Sequence, residues 1–242
     1  MDLLNVLETY RGRDKIIRTC SYLATMFGAS GNSATAKKLQ TIAAELSACR
    51  VMLRLFDDLP MLAHNLSYGL GSKEKITLMQ ILEMGINAAN QLYYPLEHVA
   101  WLADKSILNF KSQKWWIAGL IVWGVSLFLG VIRNTLRIIF LRRAEVNLKK
   151  QEYLDNSKEK TETSEQNQTI QGKLRKLKME EKDCYFAVIQ NMADLLNAIN
   201  WLPFKFLWAG KIDRSKGGFF GLISSIIMLY RLWPEKHRPK VS

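Results

Sequence analysis

Apolar residues recur at intervals of three and four along the first part of the chain, the spacing of a helix with one buried face. Two such stripes occupy the N-terminal region, at Leu3, Leu7, Tyr10, Ile16, Leu23 and Phe27. Residues 1–111 contain no period-two alternation long enough for a strand. The pattern predicts an all-α fold.

Cations accompany the two N-terminal stripes: Arg11, Arg13, Lys15 and Arg18. An apolar face flanked by positive charge suits a helix that lies among anionic lipid headgroups. It equally suits a helix that packs on its neighbours and leaves a basic face to solvent. Both interpretations stay open for this segment.

The rest of residues 1–111 predicts an N-terminal helical bundle. A second helix, capped by Asn32 or Ser33, is expected to run to about Asp58, with Pro60 after its end. A turn follows at 68–71, and a third helix is expected from near Ser72 with a kink or break at Pro95. These helices precede a membrane segment in the sequence and are expected to pack together as a compact bundle at the bilayer surface.

An unbroken apolar run of eighteen residues, WWIAGLIVWGVSLFLGVI, occupies 115–132 between Lys114 and Arg133. At about 1.5 Å per residue, it is just long enough for a hydrocarbon core of about 30 Å. The tryptophans at its start suit the headgroup layer, and Arg133 and Arg137 suit lipid phosphates beyond its end. The alternative is the buried core helix of a soluble protein.

A second apolar run at 217–230 is only fourteen residues long. That length fits a core, re-entrant or interfacial helix, or a span in a locally thinned bilayer. Small residues spaced four apart allow close helix approach, here in a hairpin or a dimer. They are Gly217, Gly221 and Ser225 in this run, and Ser126 and Gly130 in the first.

Between the runs lies a polar stretch, 149–182, with nine Lys or Arg against seven Asp or Glu. Few apolar residues are available there to offset ordering entropy, so part of it is predicted to be a flexible linker, whereas Lys173 to Lys182 can extend the next helix. The chain is therefore predicted to consist of four regions. An N-terminal helical region covers 1–111, and a membrane helix with basic residues after it covers 112–148. The linker covers 149–182, and an amphipathic helix followed by the second apolar run covers 183–242.

A formal net charge of +12 favours anionic partners, either nucleic acid or a membrane surface. Lysines interleave with tryptophans around 201–216, a pattern that serves base stacking or a membrane interface. The apolar runs nearby favour membrane lipids, and no nucleic-acid partner is expected.

No catalytic or cofactor motif stands out, and no enzyme activity, cofactor or metal is expected. Cys20, Cys49 and Cys184 lack metal-site spacing. His98 and Asp104 are one residue off the spacing of membrane acyltransferases, and a structural histidine is the preferred interpretation.

Several blocks nevertheless resemble one family. They are YRGRDK at 10–15, CRVMLRLFDDL at 49–59, YGLG at 68–71, NAANQLYYPLEHVAWLAD at 87–104, the tryptophan pair at 115–116, NMADLLNAINWLP at 191–203, LWAG at 207–210 and GLISSIIMLY at 221–230. Together they resemble the peroxisomal membrane protein 11 family, and most closely its gamma (C) type. The resemblance covers nearly the whole chain except 149–182.

The resemblance implies a multi-pass protein of the peroxisomal membrane with both termini in the cytosol. It implies elongation, proliferation and fission of peroxisomes through amphipathic-helix insertion. The implied partners are membrane lipids, the protein itself, related family members, peroxisomal fission adaptors, a dynamin-like GTPase and a peroxisomal membrane-protein import receptor.

Two questions stay open at this point. The positive-inside rule would place 133–216 in the cytosol, whereas the family topology places it in the matrix. A small-metabolite pore of the peroxisomal membrane is the alternative function, and a helical adaptor without direct effect on lipid is a third.

Overall fold

A computed structural model describes residues 2–29, 31, 33–69, 71, 74, 76–158 and 164–232. Within them lie eight helices: α1 (Asp2–Glu8), α2 (Tyr10–Gly28), α3 (Ala34–Arg54), α4 (Asp58–Tyr68), α5 (Thr77–Asp104), α6 (Ser112–Lys158), α7 (Ser164–Asn200) and α8 (Arg214–Leu232). These residues contain no strand. The prediction of an all-α fold is confirmed.

Side-chain caps start two of the N-terminal helices. Thr9 Oγ1 accepts a hydrogen bond from the Gly12 amide at 3.0 Å at the start of α2. Ser33 Oγ accepts one from the Ala36 amide at 3.1 Å at the start of α3. Each cap satisfies an amide that has no partner within its helix. The predicted start of the second helix at Ser33 is confirmed.

The predicted second helix is divided in two. α3 ends at Arg54, and α4 begins at Asp58. Pro60 lies in the first turn of α4, where a missing amide hydrogen costs no helical hydrogen bond. Pro60 therefore lies at the start of a helix, and not beyond the end of one as the sequence predicts.

The turn at 68–71 forms where expected, with Gly69 at φ +56° and Gly71 at φ +73°. Both angles lie in a region that favours glycine. Ser72, the predicted start of the third helix, lies outside the described residues, and α5 begins at Thr77. α5 continues through Pro95, so the predicted break does not occur there.

Six helices surround one interior. In order of contact they run α3, α2, α8, α7, α6, α5. An ion pair between Arg54 of α3 and Glu97 of α5 joins the two ends of this order. α1 packs on α2, and α4 packs on α5. The N-terminal helices therefore do not form a bundle of their own, because α2 and α5 pack on helices from the C-terminal half.

The polar stretch at 149–182 is helical on both sides of residues 159–163, which are not among the described residues. α6 continues to Lys158, and α7 starts at Ser164. The two helices share an apolar seam of Ile138, Leu141 and Cys184. Arg142 also donates to Glu181 across the pair at 2.7 Å. Within the stretch, Leu174 is buried and Leu177 packs on this seam. Most of a segment that is predicted in part to be a flexible linker is therefore helical.

Of the described helices, only α6 contains a segment long and apolar enough to cross a membrane, Ser112–Tyr153. Only 22% of its most apolar window is buried within the protein. The second predicted membrane segment, 217–230, lies in α8, which packs between α2 and α7. Its inward face consists largely of small residues, including Gly218, Gly221 and Ser224.

Candidate membrane-binding face and buried charge cluster

The predicted membrane-inserting face spreads over α1 and α2, and only its ends are open. Leu7 and Phe27 are exposed, and so is Leu4, which sequence reasoning missed. The middle of the face packs inward: Tyr10, Ile16 and Leu23 are half-buried. The side chain of Leu3 is not among those that the structure describes.

Tyr10 is tied to the neighbouring helix. Its hydroxyl donates a hydrogen bond to the Leu53 carbonyl of α3. Burial, helped by the Asp57 carboxylate, raises the pKa of Tyr10 to about 12. The phenol therefore stays protonated at neutral pH and acts as a donor that holds α2 against α3.

The predicted headgroup-binding cations fall into two groups. Arg11 and Arg13 are exposed on α2. The others are engaged within the protein: Lys15 with Asp14, Arg18 with Asp194, Arg133 with Glu83, and Arg137 with Glu180. Only Arg11 and Arg13 of this set are exposed enough to meet a headgroup without a change in packing.

Arg18 requires a correction, because its guanidinium is buried. Arg18 Nη2 donates to Asp194 Oδ1 at 2.5 Å and to Ser224 Oγ at 3.1 Å. The side chains of Arg18 and Asp194 are 6% and 1% exposed, and the Tyr22 ring lies 5.4 Å from the guanidinium carbon. Arg18 therefore joins α2, α7 and α8 and does not contact lipid headgroups.

A second ion cluster joins α2 to α3. Asp14 accepts from Lys15 at 2.7 Å and from Arg50 at 3.0 Å. Burial raises the pKa of the Asp14 carboxyl, but the Arg50 and Lys15 charges outweigh burial and hold the pKa below its usual value. Asp14 is therefore ionised at neutral pH, and it balances cations that point toward the interior.

A third cluster joins α3 to α5. Glu97 accepts hydrogen bonds from Arg54 Nε at 3.1 Å and from the Tyr93 hydroxyl at 2.7 Å. Glu97 is almost completely buried. Because a buried carboxylate is costly unless it is paired, these contacts fix the distance between α3 and α5.

These clusters border a central polar cavity of about 780 Å³. Side chains from α2, α3, α5, α6, α7 and α8 line it, among them Arg18, Arg50, Glu97 and Asp194. Trp115 and Trp123 of α6 also contribute. The sequence contained one signal for this interior: an acid on an otherwise apolar or aromatic helix face, Glu97, whose neighbours one turn away are Tyr93, Tyr94, Ala100 and Trp101.

Small residues permit the close helix contacts around this interior. A Cβ at Gly218 would lie 2.8 Å from the Met26 amide nitrogen of α2, and one at Gly221 would overlap the Tyr22 ring. Gly217 faces Asn197, and Gly130 faces Asn191, both of α7. The predicted helix-packing glycines therefore make contacts within one chain.

The predicted helix-packing serines are buried. Ser225 Oγ donates to the Gly221 carbonyl at 2.6 Å, and Ser126 Oγ donates to the Trp123 carbonyl at 2.8 Å. Each hydroxyl bonds to its own helix, so the serine presents a small surface to the neighbouring helix.

No group of three or more metal-binding side chains occurs in the part of the chain that the structure describes. His98 Nε2 lies 3.1 Å from the Leu55 carbonyl oxygen, a contact between α5 and the end of α3. This contact supports the structural interpretation of that histidine.

The helical arrangement and the apolar α6 segment define a helical membrane protein. The sequence model of peroxisomal biogenesis factor 11 (PEX11) matches residues 1–233. Peroxisomal membrane protein 11C of Homo sapiens is 35% identical over 236 residues, which cover 95% of this chain and 92% of the relative. Its Mus musculus counterpart is 35% identical over 233 residues, covering 93% and 90%. No solved structure matches.

The chain therefore belongs to the peroxisomal biogenesis factor 11 family. The family resemblance found in the sequence blocks is confirmed. This is a family of peroxisome biogenesis factors and not of enzymes, and both relatives are named as peroxisomal membrane proteins.

Proposed function

We propose that this protein resides in the peroxisomal membrane and promotes its elongation and fission by inserting amphipathic helices into one leaflet. The observation that carries the proposal is the exposure of apolar side chains beside cations at the N-terminus. Leu4 and Phe27 are 64% and 63% exposed, and Arg11 and Arg13 are exposed on the same pair of helices. Apolar side chains would enter the acyl boundary while the cations meet phosphates.

A second exposed apolar surface supports the same mechanism. It follows the end of α3 into α4 and consists of Met52, Phe56, Leu59, Leu62 and Leu66. Phe56 alone is 77% exposed. Large exposed apolar surfaces mark contacts with membranes or proteins. Insertion of both surfaces into one leaflet would expand that leaflet and bend the bilayer.

The insertion mechanism predicts that charge on the N-terminal surface abolishes remodelling. The variant Leu4→Glu, Leu7→Glu, Phe27→Glu should no longer tubulate vesicles that contain anionic phospholipid, because each glutamate opposes burial among acyl chains. The matched control, Leu4→Met, Leu7→Met, Phe27→Leu, keeps the apolar character and should tubulate normally. Electron microscopy of the vesicles measures the result. Equal tubulation by both variants would contradict insertion through this surface.

Self-association and recruitment of fission adaptors and a dynamin-like GTPase complete the proposed role. Membership of the family supports this part of the proposal. Insertion by itself bends a membrane, whereas fission requires a further source of constriction. In this scheme the protein bends the peroxisomal membrane, and the recruited GTPase constricts and divides it.

The central cavity supports a second candidate function, a pore for small metabolites. Its volume of about 780 Å³ and its charged lining are suited to polar solutes. Vesicles loaded with a small dye distinguish the two functions in the same experiment. Dye release without a change in vesicle shape would favour the pore, and tubulation of sealed vesicles favours remodelling.

We also propose that both termini face the cytosol, a topology that requires a second membrane crossing besides α6. α8, at Arg214–Leu232, is the candidate, although by length and composition it falls short of α6. Protease treatment of intact peroxisomes should remove tags at both termini and spare a tag inserted at 159–163. Loss of all three tags would exclude this topology and leave α8 as a packed helix.

A further inference from the structure

A second cavity is an apolar groove along α6 and α7, which shares only Leu120 with the lining of the central polar cavity. It has a volume of about 410 Å³, within the range of about 300–1,000 Å³ typical of small-molecule sites. α6 forms one wall and α7 the other, through residues such as Leu120, Val125, Leu195 and Ile199. The loop at 201–213, which joins α7 to α8, adds Phe204, Phe206 and Leu207 to the lining.

The groove has no apolar partner within the described part of the chain. Val125 and Phe128 of α6 are exposed, and so are Phe204, Phe206 and Leu207 of the loop. Contiguous apolar surface of this kind is unfavourable in water and marks a binding site.

The loop is held in place by specific hydrogen bonds. Trp208 Nε1 donates to the Leu196 carbonyl at 3.0 Å. The side chain of Asn200 bonds both the amide and the carbonyl of Ile212, each at 2.9 Å. These contacts fix the middle and the far end of the loop against α7, so the groove has a defined wall.

Leu207 adds evidence of a maintained shape. Its φ is +47°, in the left-handed region that a leucine rarely adopts. Strained backbone of this type persists where the surrounding contacts impose it, commonly at binding sites. Here it accompanies a run of three exposed apolar side chains at the groove.

The position of the groove identifies its occupant. All the α6 residues that line it lie within the charge-free run 115–132 of the candidate membrane helix. At this depth the surrounding medium is lipid hydrocarbon. Lys205 lies between Phe204 and Phe206 and is exposed, as is Lys211. An apolar groove beside cations matches an acyl chain joined to an anionic headgroup.

We propose that the groove between α6, α7 and the 201–213 loop binds one acyl chain of an anionic phospholipid, with the lipid phosphate beside Lys205. This site is separate from the N-terminal inserting surface and goes beyond the remodelling function, although it shares the premise that α6 lies in the membrane. The bound lipid would cover the groove, and the long side chain of Lys205 would extend from the loop toward the lipid phosphate.

The test uses the full chain in phosphatidylcholine nanodiscs that contain phosphatidylserine with a photoreactive acyl chain. Labelled peptides, identified by mass spectrometry, should map to the walls of the groove. Gly124→Phe should reduce this labelling about tenfold, equivalent to about 1.4 kcal/mol of affinity, by filling the groove. Gly124 lines the groove and a Cβ added there meets no atom within 4 Å, so the new side chain begins in open space.

Two further variants complete the experiment. Gly172→Phe, at an equally open position on α7, should leave the labelling unchanged. Lys205→Glu should remove the preference for phosphatidylserine over a phosphatidylcholine probe carrying the same acyl chain.

Three results would overturn the lipid site. Labelling spread evenly around α6 would indicate only bulk lipid contact, and labelling insensitive to Gly124→Phe would exclude the groove. Cross-links between two chains at the groove, with no lipid label, would assign it to a second copy of the protein. Vesicle tubulation is measured separately, so each of these results leaves the proposed remodelling function standing.

Discussion

Replacing Asp194 with alanine should destabilise the protein by about 3–5 kcal/mol, because the change strands the guanidinium of Arg18 in the interior. Arg18 Nη2 donates to Asp194 Oδ1 at 2.5 Å, and both side chains are almost completely buried. Ser224, the other oxygen partner, cannot balance the charge. In a chain of this size the midpoint of thermal unfolding should fall by at least about 6 °C, measured by circular dichroism in detergent.

A matched pair on the surface provides the control. Arg231 and Asp183 also join α8 to α7, at 2.9 Å, but their side chains are 32% and 40% exposed. Solvent screens such a pair, so Asp183→Ala should cost only about 0–1 kcal/mol. Equal losses for the two alanine variants would mean that burial does not govern the Arg18 contact.

A double substitution distinguishes two causes of the destabilisation: an unpaired buried charge on Arg18, or the loss of the attraction between Arg18 and Asp194. Replacing both partners, as Arg18→Leu with Asp194→Leu, removes the buried charges together and should cost less than Asp194→Ala alone. A double variant whose loss equals the sum of the losses from Arg18→Leu and Asp194→Leu alone would instead show that the two side chains are not coupled.

Arg18 also shows where sequence reasoning stopped. The period of the N-terminal stripes correctly indicates helices, since it depends on residues three or four apart. The partner of Arg18 lies 176 positions away, and no local pattern encodes that contact. Local spacing therefore groups Arg18 with Arg11 and Arg13 on a basic outer face, and only the latter two are exposed as expected.

The polar stretch at 149–182, which includes the end of α6 and the first half of α7, departs from expectation for a related reason. Its composition gives too little apolar area for an independent fold, which is why it predicts flexibility. Packing between the helices contributes to the order: within the stretch, Leu177 of α7 packs against the seam of Ile138, Leu141 and Cys184. Composition measures what a segment can bury by itself and not what a neighbour covers.

The candidate site was partly predictable. Leu7 and Phe27 lie on the surface where an inserting face would need them. The central cavity and the apolar groove were not foreseen, because each is formed by side chains from helices far apart in sequence. The spacing of Gly217 and Gly221 indicated close helix contact, but not that the contacting helix would be α2.

Substitution of Gly218 by alanine tests that contact between α8 and α2. The added Cβ would lie 2.8 Å from the amide nitrogen and 2.9 Å from the Cα of Met26. Both are backbone atoms, so relief requires the two helices to move apart. Overpacking of this kind costs about 1–3 kcal/mol, and the midpoint of thermal unfolding should fall.

The control for Gly218 has the opposite sign, which makes the comparison decisive. Gly172 lies on α7, and a Cβ added there would meet no atom within 4 Å, so Gly172→Ala should stabilise the chain by up to about 1 kcal/mol through helix propensity. Gly218→Ala carries the same propensity gain and must lose more than it gains. If both variants stabilise the protein, the packing between α2 and α8 can accommodate a methyl group, and α2 is held mainly by the Arg18–Asp194 pair. If they differ in sign, α2 is locked by shape as well as by charge, and only its exposed ends remain available to a membrane.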